Sequence, residues 1–241
     1  MIDTILFDLD GTLLHFSQEA FIGAYFAQLG KIFHRLGLDP EASAKAVWVG
    51  TKAMVLNDGS RYNIERFWES FADTLGLTDQ KRGEIEAACD HFYLNEFDTV
   101  RSVVRPGDLS NRIVRGVIDK GYGVVLATNP LFPLGAVQTR LGWIGLSPSD
   151  FLLVTHYANS KYCKPNPGYY KEIFANIDRA PAQCLMVGNN PVEDMCAGRL
   201  GAQTFLVTDC LENEAGADIT PFRSGTLAEL EYHLLSLPDI Q

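Results

Sequence analysis

The 241-residue sequence has no run of about 18 uninterrupted apolar residues, so no segment reads as a membrane span. It opens on Met1-Ile2-Asp3 without the basic n-region and long apolar h-region of a signal peptide. Cysteine is sparse: Cys89, Cys163, Cys184, Cys196 and Cys210 are odd in number, scattered, and without the short paired spacings of a zinc site. That argues against a disulfide framework and fits reduced thiols in the cytoplasm. Basic residues are outnumbered, 20 Lys and Arg against 30 Asp and Glu, for a formal net charge of -10. Such a surface disfavours nucleic acid and anionic membrane as partners, and an anionic substrate would need a locally positive pocket. Internal repeats and low-complexity tracts are absent as well.

What the sequence does have is apolar content, 46% of residues, enough for a substantial core. Much of it falls in five short runs: Thr4 to Phe7, Gly123 to Ala127, Phe151 to Val154, Cys184 to Val187 and Thr204 to Val207. Each is followed by turn residues and then by a helical pattern, the signature of βαβ units. Their hydrophobicity is continuous rather than alternating, as expected of parallel strands covered on both faces. The fold class expected is α/β, a doubly wound, mainly parallel, Rossmann-like sheet.

More than a hundred residues separate the first run from the second, far beyond an ordinary crossover, so an inserted unit is expected there. From about Ser17, a plausible N-cap, to about Val100 the pattern is helical, with Phe21, Tyr25 and Leu29 on one face and Phe67, Phe71 and Leu75 on another. Turns at Gly37-Leu38-Asp39-Pro40 and Asn57-Asp58-Gly59-Ser60 punctuate it. The expected organisation is a core of residues 1–16 and 101–241 with a helical cap domain over 17–100. Arg105-Pro106-Gly107-Asp108 opens the helix returning to the core, and Thr226-Leu227-Ala228-Glu229 is a capping box for a final docked helix.

The chemistry-bearing segments sit after the runs. Asp8 and Asp10 follow the first, and two carboxylates would be costly inside a covered sheet, so they should emerge at its C-terminal edge. Two residues apart, they leave the strand on one side, where one can attack and the other exchange a proton. Apolar residues around Asp10-Gly11 fit a β-hairpin turn equally well. An EF-hand loop fits worse, because its glycine belongs at the sixth position.

Asp8-Leu9-Asp10-Gly11-Thr12 resembles the first motif of the haloacid dehalogenase superfamily, Asp-x-Asp-x-Thr after a buried strand. The resemblance recurs in order. Val124 to Asn129 is similar to the second motif, ending in the phosphoryl-binding Thr128 beside Asn129, and Lys164-Pro165-Asn166-Pro167 is similar to the third. Taken alone, Thr128 fits an N-cap or turn residue and a lysine fits a solvated surface group. Lys164 is favoured over Lys161 as the cation. Val187 to Asp194 resembles the fourth motif but carries Asn189 where aspartate is usual, with Asp194 in register. Without the resemblance, Asn189-Asn190 reads as a turn.

The resemblance covers the core and implies a phosphatase that hydrolyses a small phosphorylated metabolite through an aspartyl-phosphate on Asp8. Asp10 is implied as acid and base, with Thr128, Asn129 and Lys164 binding substrate. It further implies Mg²⁺ held by the Asp8 carboxylate, the Asp10 carbonyl and the residue at 189, with Asp194 acting through waters. Asparagine oxygen can ligate Mg²⁺, though with one charge fewer than aspartate. A phosphomutase, a dehalogenase-type hydrolase and a regulatory binding protein on a decayed phosphatase scaffold are the competing readings. Asp10 argues against the dehalogenase, and Asn189 motivates the last. The cap aromatics Phe21, Tyr25, Phe67, Trp68 and Phe71 fall at helical spacing and read as bundle core. Trp48, Lys52, Arg61, Tyr62 and His15 receive no role, and the oligomeric state is undetermined.

Overall fold

The computed structural model describes residues 1–105 and 107–240. Six parallel strands form one sheet: β1 (Thr4–Phe7), β2 (Gly123–Leu126), β3 (Leu153–Val154), β4 (Cys184–Gly188), β5 (Gln203–Val207) and β6 (Ser224–Gly225), in the order β3-β2-β1-β4-β5-β6. The α/β class and the doubly wound arrangement agree with the sequence reading. Only β6, two residues long, had no counterpart among the apolar runs.

The lack of alternation in these runs has a direct cause. Ile5 and Phe7, Val124 and Leu126, and Leu185 and Val187 point into one apolar cluster, whereas the intervening Leu6, Val125 and Met186 point into a second on the opposite face. Both sets are at most 2% exposed. Helices α5 (Leu109–Asp119) and α8 (Leu227–Leu235) pack on the first face, and α7 (Pro167–Asn176) packs on the second. The capping box of α8 forms: the Thr226 hydroxyl accepts from the Glu229 N–H and the Glu229 carboxylate accepts from the Thr226 N–H. Part of the turn before α5 lies outside the described residues, since Pro106 is not among them.

Between β1 and β2 the chain forms α1 (Gln18–Arg35), α2 (Pro40–Val55), α3 (Asn63–Leu75) and α4 (Asp79–Asn95). Their starts follow from capping. Ser17 accepts from Ala20 N–H, Asp39 from Ala42 N–H with Pro40 behind it, and Thr78 from Lys81 N–H. A 3₁₀ segment, Phe97–Val103, then carries the chain back. Helix α6 (Leu134–Trp143) follows β2 and packs against α4 and this segment. Among the described residues, no helix is long and apolar enough to cross a membrane.

Candidate active site

β1 is held on both sides to its last residue: Ala127 N–H donates to the Phe7 carbonyl, and Asp8 N–H donates to the Val187 carbonyl. From β1 the chain builds outward to β2 and β3, then crosses back to β4 on the other side, so Asp8 leaves the sheet at a topological switch point. The next residues form a tight loop in which Thr12 N–H and Leu14 N–H both donate to the Leu9 carbonyl. Gly11 sits at φ 80° and lies so close to the Asn189 side chain that a Cβ would overlap it. Glycine is therefore required for the turn and for the approach. Both neighbours of β1 are parallel strands, so the Asp10-Gly11 turn is an exit from the sheet and the hairpin alternative is excluded.

Lys164 stands beneath this loop, 1% exposed, with Nζ 2.8 Å from Asp8 Oδ1 and 2.7 Å from Asp194 Oδ1. Burial alone would lower its ammonium pKa, but Asp194 and Asp8 together hold it well above the usual lysine value. Asp194 also accepts from the Asn190 N–H at 2.9 Å and is packed so tightly against Gly188 that a Cβ there would overlap its carboxyl group. Burial, with the charge of Asp8, pushes the Asp194 carboxyl up against the pull of Lys164. Lys161 lies instead over the Tyr62 ring.

Asp10 is held by a residue that the sequence reading missed. Arg140, on α6 and wholly buried, pairs through Nη1 with Asp10 Oδ2, donates Nε–H to the Ala136 carbonyl, and places its guanidinium 4.5 Å from the centre of the Phe132 ring. A signal for it existed: Arg140 shares the buried stripe of Ala136, Val137 and Leu141 at helical spacing, where a charge needs a partner. Burial raises the Asp10 pKa more than Arg140 lowers it, and Asp8 adds to the rise. The Asp10 side chain is 32% exposed, and it lines the site cavity, so that exposure is towards the cavity.

The remaining positions converge as follows. Thr128, 2% exposed, lines the same cavity, and its carbonyl accepts from Thr155 and from the Tyr169 hydroxyl. Asn129 also lines the cavity, but its amide is engaged at both ends: it donates to Glu193 and accepts from Lys164 N–H. Asn189 donates to the Cys210 carbonyl at 2.6 Å, which turns its Oδ1 towards Thr12. The Thr12 hydroxyl lies 3.0 Å from Asp8 Oδ2 and 3.1 Å from Asn189 Oδ1. Glu193 and Glu212, neither singled out from the sequence, face the same space. Burial raises both, Glu212 up to about 7 with Asp8 contributing next. His15 lies outside this cavity lining, and its ring nitrogen meets the Thr12 carbonyl.

The donor set suits a hard divalent cation. Among the described residues no group of three or more His, Cys, Asp or Glu is arranged to hold a metal, so a cation would rest on mixed oxygen ligands. Asp8 and Asn189 offer oxygens brought together by one hydroxyl, and the Asp10 carbonyl is used by no other donor among the described residues. Five carboxylates, of Asp8, Asp10, Glu193, Asp194 and Glu212, line this end of the cavity, with Lys164 and Arg140 behind them.

The cavity adds to the reading of the helical aromatics as bundle core, which holds for Phe21, Tyr25, Trp68 and Phe71 in the main apolar cluster with Phe67 packed against it. Phe21, Tyr25, Phe67, Trp68 and Phe71 pack together, but they also line a space of about 290 Å³ continuous with the carboxylates. Spacing along a helix identifies an inward face and says nothing of whether the interior is filled. Trp48, left without a role, borders this space too.

A family model described as haloacid dehalogenase-like hydrolase matches residues 2–201. None of the curated proteins matches the chain. Among solved structures, a HAD phosphatase from Thermococcus onnurineus is 18% identical, with a TM-score of 0.60, covering 99% of this chain and 100% of its own. A 2-haloacid dehalogenase from Pseudomonas syringae pv. Tomato DC3000 is also 18% identical, with a TM-score of 0.63 and coverage of 98% and 99%. The HAD-hydrolase YfnB from Bacillus subtilis, bound to magnesium, has 18% identity, a TM-score of 0.56 and coverage of 98% and 99%. At such identities these likenesses concern the fold alone.

Proposed function

Since the chain belongs to the haloacid dehalogenase-like hydrolases, we propose that it is a Mg²⁺-dependent phosphomonoesterase working through an aspartyl-phosphate on Asp8. The observation that carries this reading is the pairing of two unlike carboxylates at one cavity mouth. Asp8 faces Lys164 at 2.8 Å, while burial raises the Asp10 carboxyl against the pull of Arg140.

In the first step an Asp8 oxygen attacks phosphorus, the bond from phosphorus to the leaving oxygen breaks, and that oxygen takes the proton of Asp10. In the second, water attacks the phosphorus and gives a proton to the Asp10 carboxylate. The Asp8–phosphorus bond breaks, returning both aspartates to their starting forms with release of phosphate. Lys164 keeps the Asp8 carboxylate oriented and balances charge, Thr128 offers its hydroxyl to the phosphoryl oxygens, and Arg140 holds Asp10 at the cavity wall. Asn129 positions Glu193 and the Lys164 backbone. Mg²⁺, held by Asp8, the Asp10 carbonyl and Asn189, would supply positive charge to the phosphoryl group. The magnesium-bound YfnB structure lends this cofactor support by analogy. Five free cysteines fit a reducing compartment such as the cytoplasm.

Asn189 favours one second reading, carbon-centred dehalogenation, which needs no metal charge. Against it, among the described residues no Lys or Arg lines the cavity to receive the carboxylate of a haloacid. Phosphate release from p-nitrophenyl phosphate, with and without Mg²⁺, is the test, run beside halide release from a 2-haloacid. Mg²⁺-dependent phosphate release that falls at least about 10³-fold in Asp8→Asn supports the reading. Metal-independent release, an active Asp8→Asn, or halide release alone defeats it.

A further inference from the structure

The cavity continues past the carboxylates into the helical insertion. Phe21, Tyr25, Phe67 and the deeply buried Phe33 and Phe71 of the insertion line it together with Phe132 from the loop after β2. Its volume, about 290 Å³ with the carboxylate end included, is far more than a single water needs. Packed interiors leave few voids larger than a single water, so a space of this size opening onto catalytic carboxylates is a binding site and not a packing fault.

Its chemistry is selective. Among the described residues, no Lys, Arg or His lines it. Of the polar groups that the insertion brings to it, the Tyr25 and Tyr93 hydroxyls bond to each other and the Thr51 hydroxyl donates to the Val47 carbonyl of its own helix, which leaves Gln18 and the indole N–H groups of Trp48 and Trp68 among walls that are otherwise apolar. A leaving group rich in hydroxyls would surrender its hydration and find few partners, whereas a hydrocarbon or aromatic group would lose nothing by entering. The geometry points to phosphate monoesters of apolar alcohols as the substrate class, with the phosphoryl group at Asp8 and the leaving group in the insertion. This assignment rests on the phosphohydrolase reading above.

The test is kcat/KM at fixed Mg²⁺ for linear alkyl monophosphates from ethyl to decyl. Geranyl phosphate and 1-naphthyl phosphate serve as branched and fused-ring arms, and glucose 6-phosphate as the polar control. Each methylene should raise kcat/KM roughly fourfold until the cavity is full, after which the values fall. Whichever arm exceeds the linear optimum identifies the form of the apolar group. A flat or falling series, or glucose 6-phosphate matching the best alkyl ester, overturns the assignment.

Calorimetric titration of wild-type protein with the free alcohols separates the two readings. Alcohols binding in the same order of chain length without hydrolysis of any ester would uphold the apolar site and defeat the phosphohydrolase. Hydrolysis indifferent to the alcohol, with no alcohol binding, would do the reverse. Thr51→Phe, which intrudes on the cavity, should shift the optimum to shorter chains, and the wild-type titration decides the matter if that variant does not fold.

Discussion

At the sheet edge of the cavity, Lys164, Asp194 and Asn189 each meet two protein partners within 3.1 Å; at the insertion end the walls meet through ring contacts such as Phe67 on Phe71, 5.9 Å between centroids. The first kind of contact is directional. Removing one partner strands a buried polar group and leaves the rest misaligned. The second is additive and depends on volume, so a change there alters how much ligand fits and leaves the carboxylates where they are. Changes at the sheet edge should therefore act on kcat and on stability, and changes at the insertion end on KM and on chain-length preference.

The sharpest challenge to that contrast is Lys164→Met. It leaves Asp8 and Asp194 buried side by side with no counter-charge, and removing one partner of a buried ion pair costs about 3–5 kcal/mol. Chemical denaturation should show a loss of that size, together with activity too low to measure. Adding Asp194→Asn should return part of the stability and none of the activity. A stable, active Lys164→Met would mean that the directional network is not what holds the nucleophile.

These two ends were unequally legible in the sequence. The rule that carboxylates leave a covered sheet at its C-terminal edge was enough to bring out Asp8 and Asp10, whereas Thr128, Lys164 and Asn189, which alone read as cap, surface and turn residues, were gathered only by the ordered resemblance to the family's motifs. Arg140 escaped because its partner lies 130 residues away and local pattern carries no long-range pairing. Glu193 and Glu212 escaped for a related reason: an exposed loop glutamate and one facing a cavity look alike in one dimension. The aromatic face of the insertion was found, but its hollow interior was not, because periodicity reports which residues face inward and not how closely they approach.

Arg140 tests the border between the two ends, being bonded to Asp10 on one side and packed on Phe132 of the cavity wall on the other. Arg140→Gln keeps a hydrogen-bonding group and removes the charge that holds Asp10. The expected result is a fall in kcat of about 10–100-fold with KM changed little, since Arg140 does not itself line the cavity. Steady-state kinetics on one good substrate decides it. A raised KM at unchanged kcat would place Arg140 with the insertion and break the division.

Asn189→Asp should have the smallest effect, because two consequences oppose each other. The added charge draws a divalent cation more strongly, while the new carboxylate oxygen replaces the amide N–H that donates to the Cys210 carbonyl at 2.6 Å and sets two acceptors against each other. The lost bond should cost about 1–3 kcal/mol of stability. The gain should appear as a half-saturating Mg²⁺ concentration about threefold to tenfold lower, below the full benefit of a carboxylate ligand because the side chain is no longer held towards Thr12. Calorimetric Mg²⁺ titration beside thermal unfolding measures both. If metal affinity is unchanged while stability falls, Asn189 serves to tie the Cys210 loop to the sheet edge and the cation rests on the other oxygens.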